Sequence, residues 1–266
     1  MQHLRIDDAE VRYDVTGEGL ALLFLHAFPL GLAMWDGQAA SLADAARVVR
    51  FDARGFGGST LVDGPLTMDR IADDAAALLD HLRIDRAVVA GCSMGGYAAF
   101  AMVRRHPGRV RALVLGDTRA GADSPEARAG RAALAERVLA GGATVASDAF
   151  LPKLLGATTQ RDRPELAVRV RSLILRNAPQ GIASALDGLG ARADSTPTLA
   201  DIRVPTLVVC GEEDTLTPPS EAEAMARAIA GAELAILPGA GHLASLENPA
   251  GYDLALRAFL ARVAAS

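Results

Sequence analysis

The chain has 266 residues, half of them hydrophobic, and a formal net charge of −5. Its Lys and Arg residues form no basic stripe, so nucleic acid is not an expected partner. No apolar run approaches the ~20 residues of a membrane span, and residues 1–8 lack the charged-then-apolar pattern of a secretory leader. The expectation is a cytoplasmic protein without a membrane partner.

Residues 11–16 alternate and 20–26 run apolar, so both read as strands, as do 47–52. Ile71, Ala75, Leu78, Leu79 and Leu82 recur at helical spacing, which predicts an amphipathic helix over 67–82. The runs 87–91, 110–116, 204–211 and 234–237 are apolar, the pattern of parallel strands buried on both faces. Ser220 and Glu223 have capping-box spacing, Gly231 follows the helix they would open, and 248–263 reads as a closing helix. Strands alternating with helices give an α/β class with a mostly parallel, doubly wound sheet.

Between 118 and 200 the strand pattern stops. Helical patterns at 125–139 and 164–176 are broken by turns rich in Gly, Pro and Thr. About eighty residues are too many for one crossover. The segment 118–200 is therefore expected to be a helical cap, inserted between two sheet strands of a core made of 1–117 and 201–266.

Gly91-Cys92-Ser93-Met94-Gly95 joins a strand-like run to a helix-like one. A G-x-S-x-G sequence in that context puts the serine on a sharp turn, its hydroxyl pushed out over the end of a sheet. The glycines leave room for the tight turn. A serine hydroxyl is a poor nucleophile at neutral pH and needs a base, an orienter for the base and donors for an oxyanion. His242, in a glycine-rich loop after the last strand, is the candidate base. Asp214, after the strand ending near Cys210, is the candidate orienter; Asp117 also ends a strand, and Glu212 and Glu213 lie close by. Met94 N–H, directly after the serine, and Phe28 N–H, in the loop 26–29, are the candidate oxyanion donors.

Other motifs carry less. Cys92 and Cys210 lack metal-ligand spacing and read as small buried hydrophobes. Residues 52–58 are glycine-rich, but no Lys-Ser/Thr pair follows, which removes a phosphate loop. Asp52 and Arg54 are expected to organise that loop by local hydrogen bonds. Glu247 reads as a surface or helix-capping residue, with a supporting acceptor role as the alternative.

With these residues assembled, the chain resembles the α/β-hydrolase superfamily over essentially its whole length. The resemblance rests on 26–29, 52–57, 91–96, 211–214 and 241–242, in that order, and on the chain order Ser93, Asp214, His242. Within the superfamily the chain is most similar to small capped carboxylesterases and to 3-oxoadipate enol-lactonases, and residues 116–125 resemble the start of the cap in that subgroup. One departure is His26-Ala27 where the family usually has His-Gly; a methyl group fits there only at negative φ.

The resemblance implies a serine carboxylesterase acting on small to medium esters without a metal or organic cofactor, with a small-molecule ester as partner and a monomer or small homo-oligomer as the assembly. An enol-lactonase is the alternative, and a non-catalytic receptor on the same fold is an alternative of another class. Phe28, Leu30, Trp35, Met94, Leu216 and Leu243 lie near the motifs and are candidate pocket residues, with Phe150, Leu151 and Leu154 of the cap. An enol-lactonase must hold a carboxylate, for which Arg119, Arg128, Arg131, Arg169 and Arg192 are candidates.

Overall fold

The computed structural model describes residues 1–265. In chain order the elements are β1 (Gln2–Ile6), β2 (Ala9–Thr16), β3 (Ala21–Leu25), α1 (Asp36–Ser41), β4 (Arg47–Phe51), α2 (Met68–His81), β5 (Ala87–Cys92), α3 (Met94–Arg105) and β6 (Val110–Gly116). Five helices follow without a strand: α4 (Pro125–Gly141), α5 (Ala143–Leu154), α6 (Ala157–Asp162), α7 (Pro164–Leu175) and α8 (Pro179–Gly190). The chain then returns through β7 (Thr206–Gly211), α9 (Pro219–Ala228), β8 (Glu233–Leu237), α10 (Ala244–Glu247) and α11 (Pro249–Ala265).

The strands form one eight-stranded sheet in the order β1-β2-β4-β3-β5-β6-β7-β8. β1 and β2 pair antiparallel, β2 pairs antiparallel with β4, and every other pair is parallel. The α/β-hydrolase fold expected from the resemblance is the observed one, with α4–α8 inserted between β6 and β7. α4 packs on α8 and α5 on α7, so the inserted helices bury their apolar faces largely against one another.

Central strands behave as the apolar runs predict. Every residue of β3, β5 and β7 is buried, as parallel strands covered on both faces must be. β8 corrects the expectation for 234–237. It is an edge strand, and Leu234 and Ile236 remain 40% and 37% exposed. β1 alternates only through Leu4 and Ile6, too short a pattern for the sequence to mark it as a strand; it pairs along the free edge of β2.

Capping sets the start of two helices. Thr67 caps α2, its side chain accepting the Arg70 N–H, at the start of the segment predicted as a helix. The Ser220–Glu223 box does not form: α9 already begins at Pro219, with Pro218 as its cap. Proline suits the first helical position because its missing N–H would have no intrahelical acceptor there. Asp52 and Arg54 also act over longer range than expected. Asp52 accepts N–H groups from Leu32 (2.7 Å) and Gly58 (3.0 Å) and pairs with Arg12. Arg54, fully buried, makes two 2.8 Å bonds to Asp74 on α2 and also pairs with Asp8.

Candidate active site

The C-terminal ends of β3, β5, β7 and β8 lead into the loops that carry Phe28, Ser93, Asp214 and His242. Parallel strands end on the same side of a sheet, which gathers residues far apart in sequence at one crevice.

Ser93 has φ 53° and ψ −112°, a left-handed backbone rarely adopted by a non-glycine residue. Such a conformation costs about 1–3 kcal/mol and persists only where its surroundings enforce it. Here Ser93 N–H donates to Gly116 O, while Ser93 O accepts from Gly96 N–H and the Thr118 hydroxyl, each at 2.9 Å. The neighbouring glycines are obligatory for a steric reason. A Cβ on Gly91 would lie 2.1 Å from Gly95 O, and one on Gly95 would lie 2.1 Å from Leu25 O.

His242 Nε2 lies 2.8 Å from Ser93 Oγ, and His242 Nδ1 lies 2.8 Å from Asp214 Oδ2. His242 and Asp214 are both buried. Asp214 Oδ1 accepts the N–H groups of Leu216 (2.8 Å) and Thr217 (3.0 Å), and Oδ2 accepts the Thr217 hydroxyl (2.7 Å). Burial alone would push this carboxyl up. Its bonds to His242 and Thr217 outweigh burial and hold it below the usual carboxylate range, so it is ionised where the imidazole needs an acceptor.

The loop 26–29 is braced by His26. Its Nδ1 lies 3.0 Å from Ala27 O, and its Nε2 accepts the Ala53 N–H at 3.0 Å, which assigns the proton to Nδ1. Burial lowers the His26 pKa against the opposing charge of Asp52, in keeping with a neutral ring. Ala27 is not in the left-handed region, so its methyl group is accommodated. Met94 opens α3, where an N–H has no intrahelical acceptor. Neither its N–H nor that of Phe28 has an acceptor among the described residues.

The rival groups are occupied elsewhere. Asp117 is buried and bonds to Gly211 N–H (2.9 Å) and Ala244 N–H (3.0 Å). Burial, followed by the nearby charge of Asp214, pushes its carboxyl well above the usual range. Glu213 turns toward α6, accepting the Thr158 N–H and hydroxyl. Burial raises both thiols, so Cys92 and Cys210 are not thiolates. Asp117, Cys210 and Asp214 lie close enough to share a cation, with donor atoms within 4.8 Å of one another. However, burial raises both Asp117 and Cys210, and Asp214 is bonded to His242, a poor donor set for a metal.

A cavity of about 240 Å³ opens onto Ser93 and His242. Phe28, Tyr97, Phe150, Leu154, Leu189 and Leu216 form its apolar wall, with Thr217 beside them, and Arg119 and Arg131 form a cationic wall. Of the predicted pocket residues, Phe28, Phe150, Leu154 and Leu216 line it. Trp35 is instead stacked on Phe24 at 4.3 Å, Leu243 is core, and Leu30 faces a separate crevice with Arg12 and Asp52. Leu151 packs against the core, Arg128 lies on an outer groove between α4 and α8, and Arg169 is exposed. Tyr97, Leu189 and Thr217 were missed; Thr217, three residues after Asp214, is the one that proximity to a motif could have found.

Arg119 (3.0 Å), Arg192 (2.8 Å) and Arg131 all pair with one buried carboxylate, Asp123. Burial would raise that carboxyl, but Arg131 and Arg192 hold it low. Arg192 also lies over the Tyr97 ring, 4.3 Å from its centroid, which fixes Tyr97 in the wall. Three guanidinium groups against one carboxylate leave this side of the cavity positive.

A serine on a strained strand-to-helix turn and a histidine after the last strand sit where one large fold class places its chemistry. Residues 21–249 match the family of the alpha/beta hydrolase fold, and the chain belongs to it. It is similar to a thermophilic esterase from Thermogutta terrifontis, solved with malate bound, at 40% identity and TM-score 0.96 over 99% of each chain. It is also similar to the enol-lactonase from Burkholderia xenovorans, at 31% identity and TM-score 0.90 over 98% of this chain and 100% of that one. The 3-oxoadipate enol-lactonase 2 of Acinetobacter baylyi is 30% identical over 263 residues, 97% of this chain and 96% of that protein.

Proposed function

We propose that this α/β-fold hydrolase is a serine carboxylesterase acting on small to medium esters through an acyl-enzyme. The observation that carries the reading is the unbroken chain Ser93 Oγ–His242 Nε2–His242 Nδ1–Asp214 Oδ2, with 2.8 Å at both hydrogen bonds. Ser93 Oγ attacks the ester carbonyl as His242 Nε2 takes its proton, and Asp214 stabilises the imidazolium. Phe28 and Met94 N–H groups hold the oxyanion. The C–O bond then breaks, and His242 gives its proton to the departing alcohol. Water, deprotonated by the same nitrogen, attacks the acyl-enzyme and releases the carboxylic acid and free Ser93.

The test is covalent labelling with a fluorophosphonate, paired with hydrolysis of a short-chain aryl ester. Wild-type protein should label at Ser93 and hydrolyse the ester, and Ser93→Ala should do neither above a residual several orders of magnitude lower. Wild-type protein that is folded yet neither labels nor turns over would favour the non-catalytic receptor reading.

The cationic wall supports a second reading, a lactonase or an esterase for substrates that carry a carboxylate. Arg119 and Arg131 face the same cavity as Ser93, and the relatives include enol-lactonases and an esterase solved with malate, a dicarboxylate. A cavity of about 240 Å³ suits a compact substrate of this kind. Comparing kcat/KM on 3-oxoadipate enol-lactone with that on a neutral aryl ester separates the two readings.

A further inference from the structure

Glu247 does not lie on the surface, as its position near the start of α11 suggested; it is only 4% exposed. Its two carboxylate oxygens go to different parts of the molecule. Oε1 accepts the N–H of Leu243, the residue after His242, at 3.1 Å. Oε2 accepts the N–H of Gly156, in the turn between α5 and α6, at 2.7 Å. The backbone carbonyl of Glu247 also accepts from Arg163 at the start of α7.

The turn it grips is pressed directly on the loop that carries the base. A Cβ on Gly241 would lie 2.3 Å from Gly156 N, so no side chain separates the two backbones. Two residues before Gly156, Leu154 lines the cavity over Ser93. Glu213, next to Asp214, holds the same turn from the other side through Thr158.

We propose that Glu247 is a positioning residue that makes the seating of the inserted helices and the placement of His242 a single event. One carboxylate joins the N–H beside the base to the N–H at the foot of the cavity wall. Substrate that presses on Leu154 shifts the Gly156 turn, and Glu247 passes that shift to the His242 loop. A charge-assisted acceptor suits this task because two N–H groups converge on it. The inference rests on the esterase reading, since it assigns His242 the role of base.

Glu247→Gln tests it at nearly constant volume. The amide has one acceptor oxygen, so its NH2 must face either Leu243 N–H or Gly156 N–H, and one link is lost. Glu247→Asp is the second variant: it keeps the charge but is one methylene shorter, so it cannot span from Leu243 to Gly156. A misplacement near 1 Å at a reacting group costs up to about a hundredfold. In both variants kcat and the second-order rate of fluorophosphonate labelling at Ser93 should fall together, by about tenfold or more. The Nδ1–H proton resonance of His242 should also move or broaden. Variants that match wild type in kcat, labelling and resonance position, with only a lower melting temperature, would overturn the proposal and leave Glu247 a structural residue. If wild-type protein itself fails to label, the esterase reading falls, while the His242 resonance still reports whether Glu247 places that ring.

Discussion

Asp214 presents both of its oxygens to fixed partners, but only Oδ2 faces His242; Oδ1 is held by the N–H groups of Leu216 and Thr217. The carboxylate therefore cannot rotate without losing bonds. In Asp214→Asn the amide oxygen should stay with those two N–H donors, which turns the NH2 toward His242 Nδ1. The ring would then carry its proton on Nε2 and could not accept one from Ser93. We expect kcat to fall by roughly 10³–10⁴ with little change in KM. Steady-state kinetics on a short-chain aryl ester check this, and a loss below tenfold would remove Asp214 from the proposed role.

Arg131 belongs to both the cavity wall and the ion cluster on Asp123. Arg131→Gln leaves Arg119 and Arg192 to balance Asp123, so the fold should tolerate it. A charge-assisted hydrogen bond is worth about 1.5–3 kcal/mol. The variant should therefore lose roughly tenfold to a hundredfold in kcat/KM on an ester bearing a free carboxylate. On an uncharged ester of the same size it should stay within about threefold. Equal losses on both substrates would mean that Arg131 shapes the cavity without recognising charge.

Two glycine-to-alanine changes should have opposite signs. At Gly95 the new methyl group would be 2.1 Å from Leu25 O, against the backbone of a buried strand that cannot yield. Gly95→Ala should destabilise the protein by about 1–3 kcal/mol or more and displace the serine turn. Gly130, inside α4, has open space around its would-be Cβ. There alanine should stabilise by about 0.5–1 kcal/mol through helix propensity. Denaturant unfolding of both variants measures the contrast.

Much of the fold is legible in the residues because burial dictates pattern. β5 is apolar throughout and β6 and β7 nearly so, Arg111 and Thr206 being the exceptions, and 110–116 is read to the residue. The thin signals belong to elements whose stability comes from a neighbour. β1 is mostly exposed and exists because β2 has an unpaired edge. α8 packs on α4 with Ile182, Ala185, Leu186 and Leu189 at helical spacing, but Gly181, Gly188 and Gly190 within it weaken its intrinsic helix preference.

Residue identities alone hold the chemistry available: a serine between glycines, a histidine after the last strand and an acid before it, in a fixed chain order. Those identities follow from local rules, since a strained turn needs glycine and a base needs an imidazole. Which acid meets the histidine, and which charge faces the cavity, emerges from packing in three dimensions. Asp214 and Asp117 both follow strands, yet one meets His242 and the other spends its oxygens on backbone N–H groups. Arg119, Arg131 and Arg192 are scattered in sequence and meet on Asp123 because the inserted helices fold back on themselves. Range separates the two: a turn or a strand is set by neighbours in sequence, whereas charge pairing and cavity shape are set by neighbours in space.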